Sequence, residues 1–194
     1  MSGEAGQAAA LGVLSERARD ALRAVLAGVD GDGVRDALLE SLPAIGERFG
    51  FAAAALAAEW YESVREEAGV PGRFDVVLAD LPSSQRYESL AAWATQMRDV
   101  EAAAAGGLQR IIANAHRDTV AVSAVADPAA RGWGRFAHGE TCDFCLMLTS
   151  RGDVYTDRTA VFASHDWCDC GAGPIWKGDT AIESRYRSSA RRRS

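Results

Sequence analysis

Apolar residues recur at three- and four-residue steps through the first two thirds of the chain and lose that rhythm near residue 127. Leu14, Ala18, Ala21, Leu22, Val25 and Val29 share one face of a helix starting near Leu11. Gly31-Asp32-Gly33 ends it, with Asp32 placed to cap a second helix that runs to Leu42. Pro43 suits the first turn of a third helix, where a missing N–H costs nothing. Ile45, Phe49, Ala53, Leu56, Trp60 and Val64 form its stripe, which ends near Gly69, and the small residues of Ala52–Ala58 permit close helix–helix approach. Val70-Pro71-Gly72 and Leu81-Pro82 bracket a loop, after which Ser83 or Ser84 can cap a helix through about Met97. A last helical stretch carries Val100, Ala104, Leu108, Ile111, Ala115 and Val122. Gly106-Gly107 predicts a kink or break in it, since each glycine costs roughly 1 kcal/mol against alanine inside a helix.

Beyond Asp127-Pro128 the chain turns to glycine and aromatics: Trp133, Phe136, Phe144, Tyr155, Phe162, Trp167 and Trp176. Short strands and turns fit this better than long helices. The expected architecture is therefore mainly α: an N-terminal helical bundle or elongated helical body over residues 1–126, then a small zinc-stapled α+β module over 127–180. A basic tail, expected to be disordered, occupies 181–194. A module of about 50 residues buries too little surface to stand alone, so a metal staple is the expected remedy.

The chemistry that could supply the staple lies in that module. All four cysteines fall there, as Cys142-Asp-Phe-Cys145 and His165-Asp-Trp-Cys168-Asp-Cys170, and the preceding 141 residues contain none. Two thiolates from one tight turn can reach the same metal, and a distant second knuckle completes a tetrahedron. Nineteen residues separate Cys145 from His165, enough for a short hairpin or helical turn that brings the second knuckle back. Catalysis by cysteine calls for a paired base and one privileged thiol, not two tight pairs. Zinc is the expected occupant, with Cys142, Cys145, His165, Cys168 and Cys170 as five donors for four positions. Cys170 and His165 follow the first pair in order of preference, with Cys168 as the alternative fourth thiolate and His165 behind it. His138 is expected in a loop, and His116 on a solvated or capping position of a helix.

Composition adds a second partner. At 194 residues, 48% hydrophobic and 25% charged, the chain is an ordinary globular protein. No apolar run approaches the roughly 20 residues that span a bilayer, and the N-terminus lacks the basic start and apolar core of a secretory signal. A soluble protein made in the cytoplasm, where thiols stay reduced, is the expectation. The formal charge is −6, yet the last ten residues carry five arginines and no acid. Arg185, Arg187, Arg191, Arg192 and Arg193 are thus candidates for contact with DNA phosphates. No phosphate-binding loop, dinucleotide fingerprint or nucleophile elbow is present, and no triad is fixed by spacing, so nothing points to an enzyme or a small-molecule substrate.

Gly139-Glu-Thr-Cys142-Asp-Phe-Cys145-Leu-Met-Leu148, Gly152-x-x-Tyr155, Phe162, His165-x-x-Cys168-x-Cys170 and Pro174-x-Trp176 together resemble the phage Mu F-like minor head proteins, in the variant found in phages of actinobacteria. The helical stretch Leu38–Glu67, centred on Phe49–Tyr61, is similar to the N-terminal half of those proteins. The resemblance implies a structural component of the virion head that associates with the portal or the inner capsid and assists head assembly, DNA packaging or delivery. Some members of that family are labelled capsid maturation proteases; no nucleophile–base pair in this chain supports such an activity. The implied partners are the portal or major capsid protein, with phage DNA reached through the tail and no membrane. Trp60 and Tyr61 are the first candidates for exposed anchors on the docking face. A nucleic-acid-binding zinc protein with no virion role is the other reading.

Overall fold

A computed structural model describes residues 2–178 except Asp32, residues 138–141, Arg151, Asp153, residues 157–161, Ala163 and Asp169, with side chains from residue 6 onward. The order of elements is α1 Ser2–Leu26, α2 Gly33–Glu67, α3 Ser84–Ala94, α4 Val100–Ala126, β1 Ala130–Phe136, α5 Asp143–Ser150 and β2 Gly171–Trp176. Among the described residues the protein is mainly helical with one small antiparallel sheet, the class read from the periodicity. Asp32, read as a helix cap, lies outside the described residues, as do His138 and all five arginines of the tail.

Two expected helix boundaries are absent. The chain runs through Pro43 without a break, so the second and third helices are one, α2. Interior proline costs about 3 kcal/mol, but Leu38, Leu42, Ile45 and Phe49 form one buried stripe across position 43, and splitting the helix would expose it. The chain also runs through Gly106-Gly107 without a break, for α4 is continuous. Both glycines sit at close approaches. A Cβ on Gly107 would sit 2.2 Å from Leu90 Cδ1 of α3, and one on Gly106 would sit 3.1 Å from Trp167 Nε1 and 3.2 Å from Asp166 Oδ2.

Helices α2 and α4 pack on each other and carry two hydrophobic clusters in series. The first joins their early turns to α1 and α3 through Ala18, Leu22, Leu38, Leu42, Ile45, Phe49, Tyr87, Leu90, Leu108 and Ile112. The second joins their later turns to the sheet and knuckles through Ala57, Trp60, Tyr61, Val120, Trp133, Phe136, Cys145, Phe162 and Cys168. Trp60 and Tyr61 are therefore not open anchors. They are 8% and 0% exposed, with Trp60 tilted against Phe136 and Tyr61 edge-on to Trp176. The stripe that sequence assigned to a partner is covered by the protein's own C-terminal region. His116, expected at a solvated or capping position, is likewise buried at 3% exposure.

Residues 70–83 form neither helix nor strand, as the flanking Pro and Gly predict. They are held along α4 by buried hydroxyls. Thr119 Oγ1 accepts from Ala79 N at 3.1 Å, while Ser123 Oγ accepts from Val77 N at 3.1 Å and donates to Val77 O at 3.0 Å. Arg65 fixes the start of this segment, donating to the carbonyls of Val70, Pro71 and Gly72 and pairing at 2.9 Å with the fully buried carboxylate of Asp127. Tyr61 donates to the same carboxylate at 3.3 Å. Burial first, and then the Asp127 charge, push the Tyr61 phenol well above its ordinary range, so it remains a donor.

Candidate metal centre

Strands β1 and β2 pair antiparallel from Ala130↔Trp176 to Phe136↔Gly171. That last pair sets the geometry of the site. The chain leaves β1 at Phe136 and returns at Gly171, directly after Cys170, so the whole excursion between them is pinned at its base. Within it, α5 carries Cys145 in its first turn, with Cys142 just ahead of the helix. Trp133 pairs with Tyr155 through two backbone hydrogen bonds of 2.9 and 2.8 Å and stacks on its ring, which fixes the middle of the excursion.

All five sequence-assigned donors converge. Cys145 Sγ lies 3.3 Å from Cys168 Sγ and 3.4 Å from Cys170 Sγ, and the last two are 2.8 Å apart. Cys142 Sγ lies 2.8 Å from His165 Nε2. Cys145 belongs to both groups, so the donors form an inner thiol triad and an outer Cys142–His165 pair that meet at one sulfur. Cys145, Cys168 and Cys170 are buried, and His165 stands exposed at the rim with half-buried Cys142. All four cysteines are free thiols. The carbonyl of Asp166 can only accept, so at 2.8 Å it fixes a proton on His165 Nδ1 and turns Nε2 toward the sulfurs.

Electrostatics divide the thiols. The hydrogen bond from Cys170 lowers Cys168 to about 4, with the Arg117 charge acting in the same direction. The hydrogen bond to His165 lowers Cys142, and His165 itself is raised, first by its bond to the Asp166 carbonyl and then by Cys142. Burial raises Cys145 to about 12, and its bond to Cys168 together with burial raises Cys170. The cluster thus sets sulfurs of unlike acidity side by side, and these residues can hold a metal ion.

The family model for VG15 protein matches residues 5–193. The chain belongs to the VG15 protein family. This family is phage-associated, which places the chain among phage proteins. No curated protein and no solved structure matches it.

What the sequence did not single out in this VG15 protein is the backing of the site. Five polar contacts run from α4 to the second knuckle. Asn114 accepts from Ser164 Oγ at 2.8 Å, Arg110 pairs with Asp166 at 3.2 Å, and Gln109 accepts from Trp167 N at 3.1 Å. Arg117 donates to Cys170 O at 2.8 Å and also to Cys168 O. Trp167 sits at φ +62°, left-handed and unfavourable for a tryptophan, and its held N–H is one reason it stays there. The local signal was weak: Gln109, Arg110, Asn114, His116, Arg117 and Asp118 crowd one part of the helix, and nothing in their spacing marks Arg117 among them. Among the described residues, no helix is long and apolar enough to cross a membrane.

Proposed function

We propose that this VG15 protein is a structural minor head protein of a tailed phage, docked on the portal or inner capsid, whose C-terminal module is clamped by one zinc ion. The observation that carries the reading is the convergence of Cys142, Cys145, His165, Cys168 and Cys170, the same residues on which the Mu F-like resemblance rests. Thiolate and imidazole donors are the set that suits zinc. A tetrahedral ion with Zn–S bonds of about 2.3 Å holds its sulfurs about 3.8 Å apart, so the inner triad needs only small outward shifts to receive it. Membership of a phage family supports the virion role, and the role of the protein there is architectural, not enzymatic.

With Trp60 and Tyr61 buried, the docking face has to lie elsewhere. Phe51 on α2 is 62% exposed, with Leu78 at 44% across the same groove. The test is a pull-down of tagged protein from cells co-expressing portal and major capsid protein, with metal analysis of the same sample. Wild type is expected to bring down a head protein and carry one zinc per chain. Phe51→Asp is expected to lose the partner and keep the zinc. Recovery of no head protein, together with absence of the chain from purified virions by mass spectrometry, would sink the reading. The tail arginines Arg185, Arg187, Arg191, Arg192 and Arg193 supply DNA contact in the same scheme. If all five engage phosphates, log K falls against log salt with a slope near −4 to −5, and removing residues 185–194 flattens it.

A further inference from the structure

Arg117 is 2% exposed, and every partner of its guanidinium is neutral. Nε donates to Cys170 O, Nη2 to Cys168 O, and Nη1 to Asn114 Oδ1 at 3.0 Å, while the group lies 5.1 Å from the centre of the Phe162 ring. No carboxylate lies within ion-pair distance of it among the described residues. The adjacent Asp118 feels its charge only as a partial offset to burial, whereas Arg65 pairs directly with Asp127 at 2.9 Å. A buried cation with no ion-pair partner in direct contact is expensive. The group immediately beyond the two carbonyls it holds is the thiol cluster. A divalent ion bound by three or four thiolates is a net anion, whichever of the five donors are used. It would place a net negative group directly behind the two carbonyls that Arg117 holds.

We propose that Arg117 is the positioning residue of the metal centre: it grips the backbone of two donors at once and sets one fixed positive charge against the metal–thiolate cluster. This rests on the reading of the five donors as a metal site. The geometry favours arginine specifically. A planar fork spans two carbonyls one residue apart, and Cys168 and Cys170 stand in that relation; an ammonium reaches only one of them well. Because Arg117 lies on α4, the metal is held by the long helix as much as by the knuckles. Asn114, one helical turn earlier, locks the guanidinium on one side and accepts from Ser164 on the other, so one α4 face orients both flanks of His165-x-x-Cys168.

The test uses the full chain loaded with Co(II), whose thiolate charge-transfer and ligand-field bands report the donor set, with affinity read by competition against a chromophoric chelator. Arg117→Gln is expected to weaken Co(II) by about 10- to 100-fold and to shift the charge-transfer band. Arg117→Lys, which keeps the charge and loses the fork, is expected to fall between it and wild type. Arg65→Gln breaks a buried arginine that touches no donor, and is expected to bind Co(II) with wild-type affinity and spectrum. Wild-type affinity and an unshifted band in Arg117→Gln overturn the proposal. If that variant fails to fold, Arg117→Lys decides by the same criteria. Wild-type chain that takes up no Co(II) overturns the metal reading itself, a result distinct from the first.

Discussion

The two hydrophobic clusters share helices α2 and α4 but are made of different material. The first is aliphatic and small: leucines, isoleucines and alanines from four helices, with Gly46 and Gly107 letting Tyr87 and Leu90 sink onto neighbouring backbones. Its backbone polar groups are satisfied within the helices, so side-chain packing is all it needs. The second is aromatic and thiol-rich, built on a two-stranded sheet and turns that satisfy few of their own groups. There, buried arginines do what helical hydrogen bonds do in the first. Arg65 caps the carbonyls of residues 70–72, and Arg117 caps those of Cys168 and Cys170. A helical cluster is specified by spacing. An irregular one is specified by long-range polar contacts and, in our reading, by a metal.

Metal removal should break this comparison most sharply. Structural zinc is worth on the order of 10 kcal/mol in small modules. Chelation is expected to abolish amide-exchange protection from about residue 130 to 178 and leave the first cluster protected. Full protection on both sides after chelation would mean that packing alone holds the second cluster.

Next in size is the Arg65–Asp127 pair. Arg65→Ala strands a carboxylate with no exposure, and an unpaired buried charge costs about 3–5 kcal/mol. The denaturant midpoint should drop accordingly, with early exchange in residues 70–83. A loss under about 1 kcal/mol, the ordinary worth of an exposed pair, would show that water reaches the site.

In the first cluster, a Cβ on Gly46 would lie 2.3 Å from the Tyr87 ring. Gly46→Ala is expected to cost about 1–3 kcal/mol through displacement of that ring. Zinc content should not change, because the effect belongs to the helical cluster. Zinc loss in this variant would show that the two clusters unfold as one.

The smallest effect concerns pH. Burial raises Asp118 from 3.8 to about 6, partly countered by Arg117. Between those values the folded state binds more protons than the unfolded chain, so this residue's contribution to stability falls as pH rises through the window. Asp118→Asn should flatten the slope of stability from about pH 4 to 6. An unchanged slope would place the carboxylate in water.

The sequence by itself determined the helical stripes of α2 and α4, the loop between Val70 and Pro82, and the five donors, because each is written in residues a few positions apart. Period and knuckle spacing are local properties that survive without knowledge of the fold. Tertiary structure alone decided whether Pro43 and Gly106-Gly107 interrupt helices, since a buried stripe outweighs one proline and a neighbour's side chain can demand a glycine. It also decided that Trp60 and Tyr61 face the protein's own sheet. An apolar stripe states that something covers it, and what covers it is set by where the chain returns. Arg117 meets Cys170 across 53 residues and Arg65 meets Asp127 across 62; no local pattern encodes such meetings, because they exist only once the helices have packed.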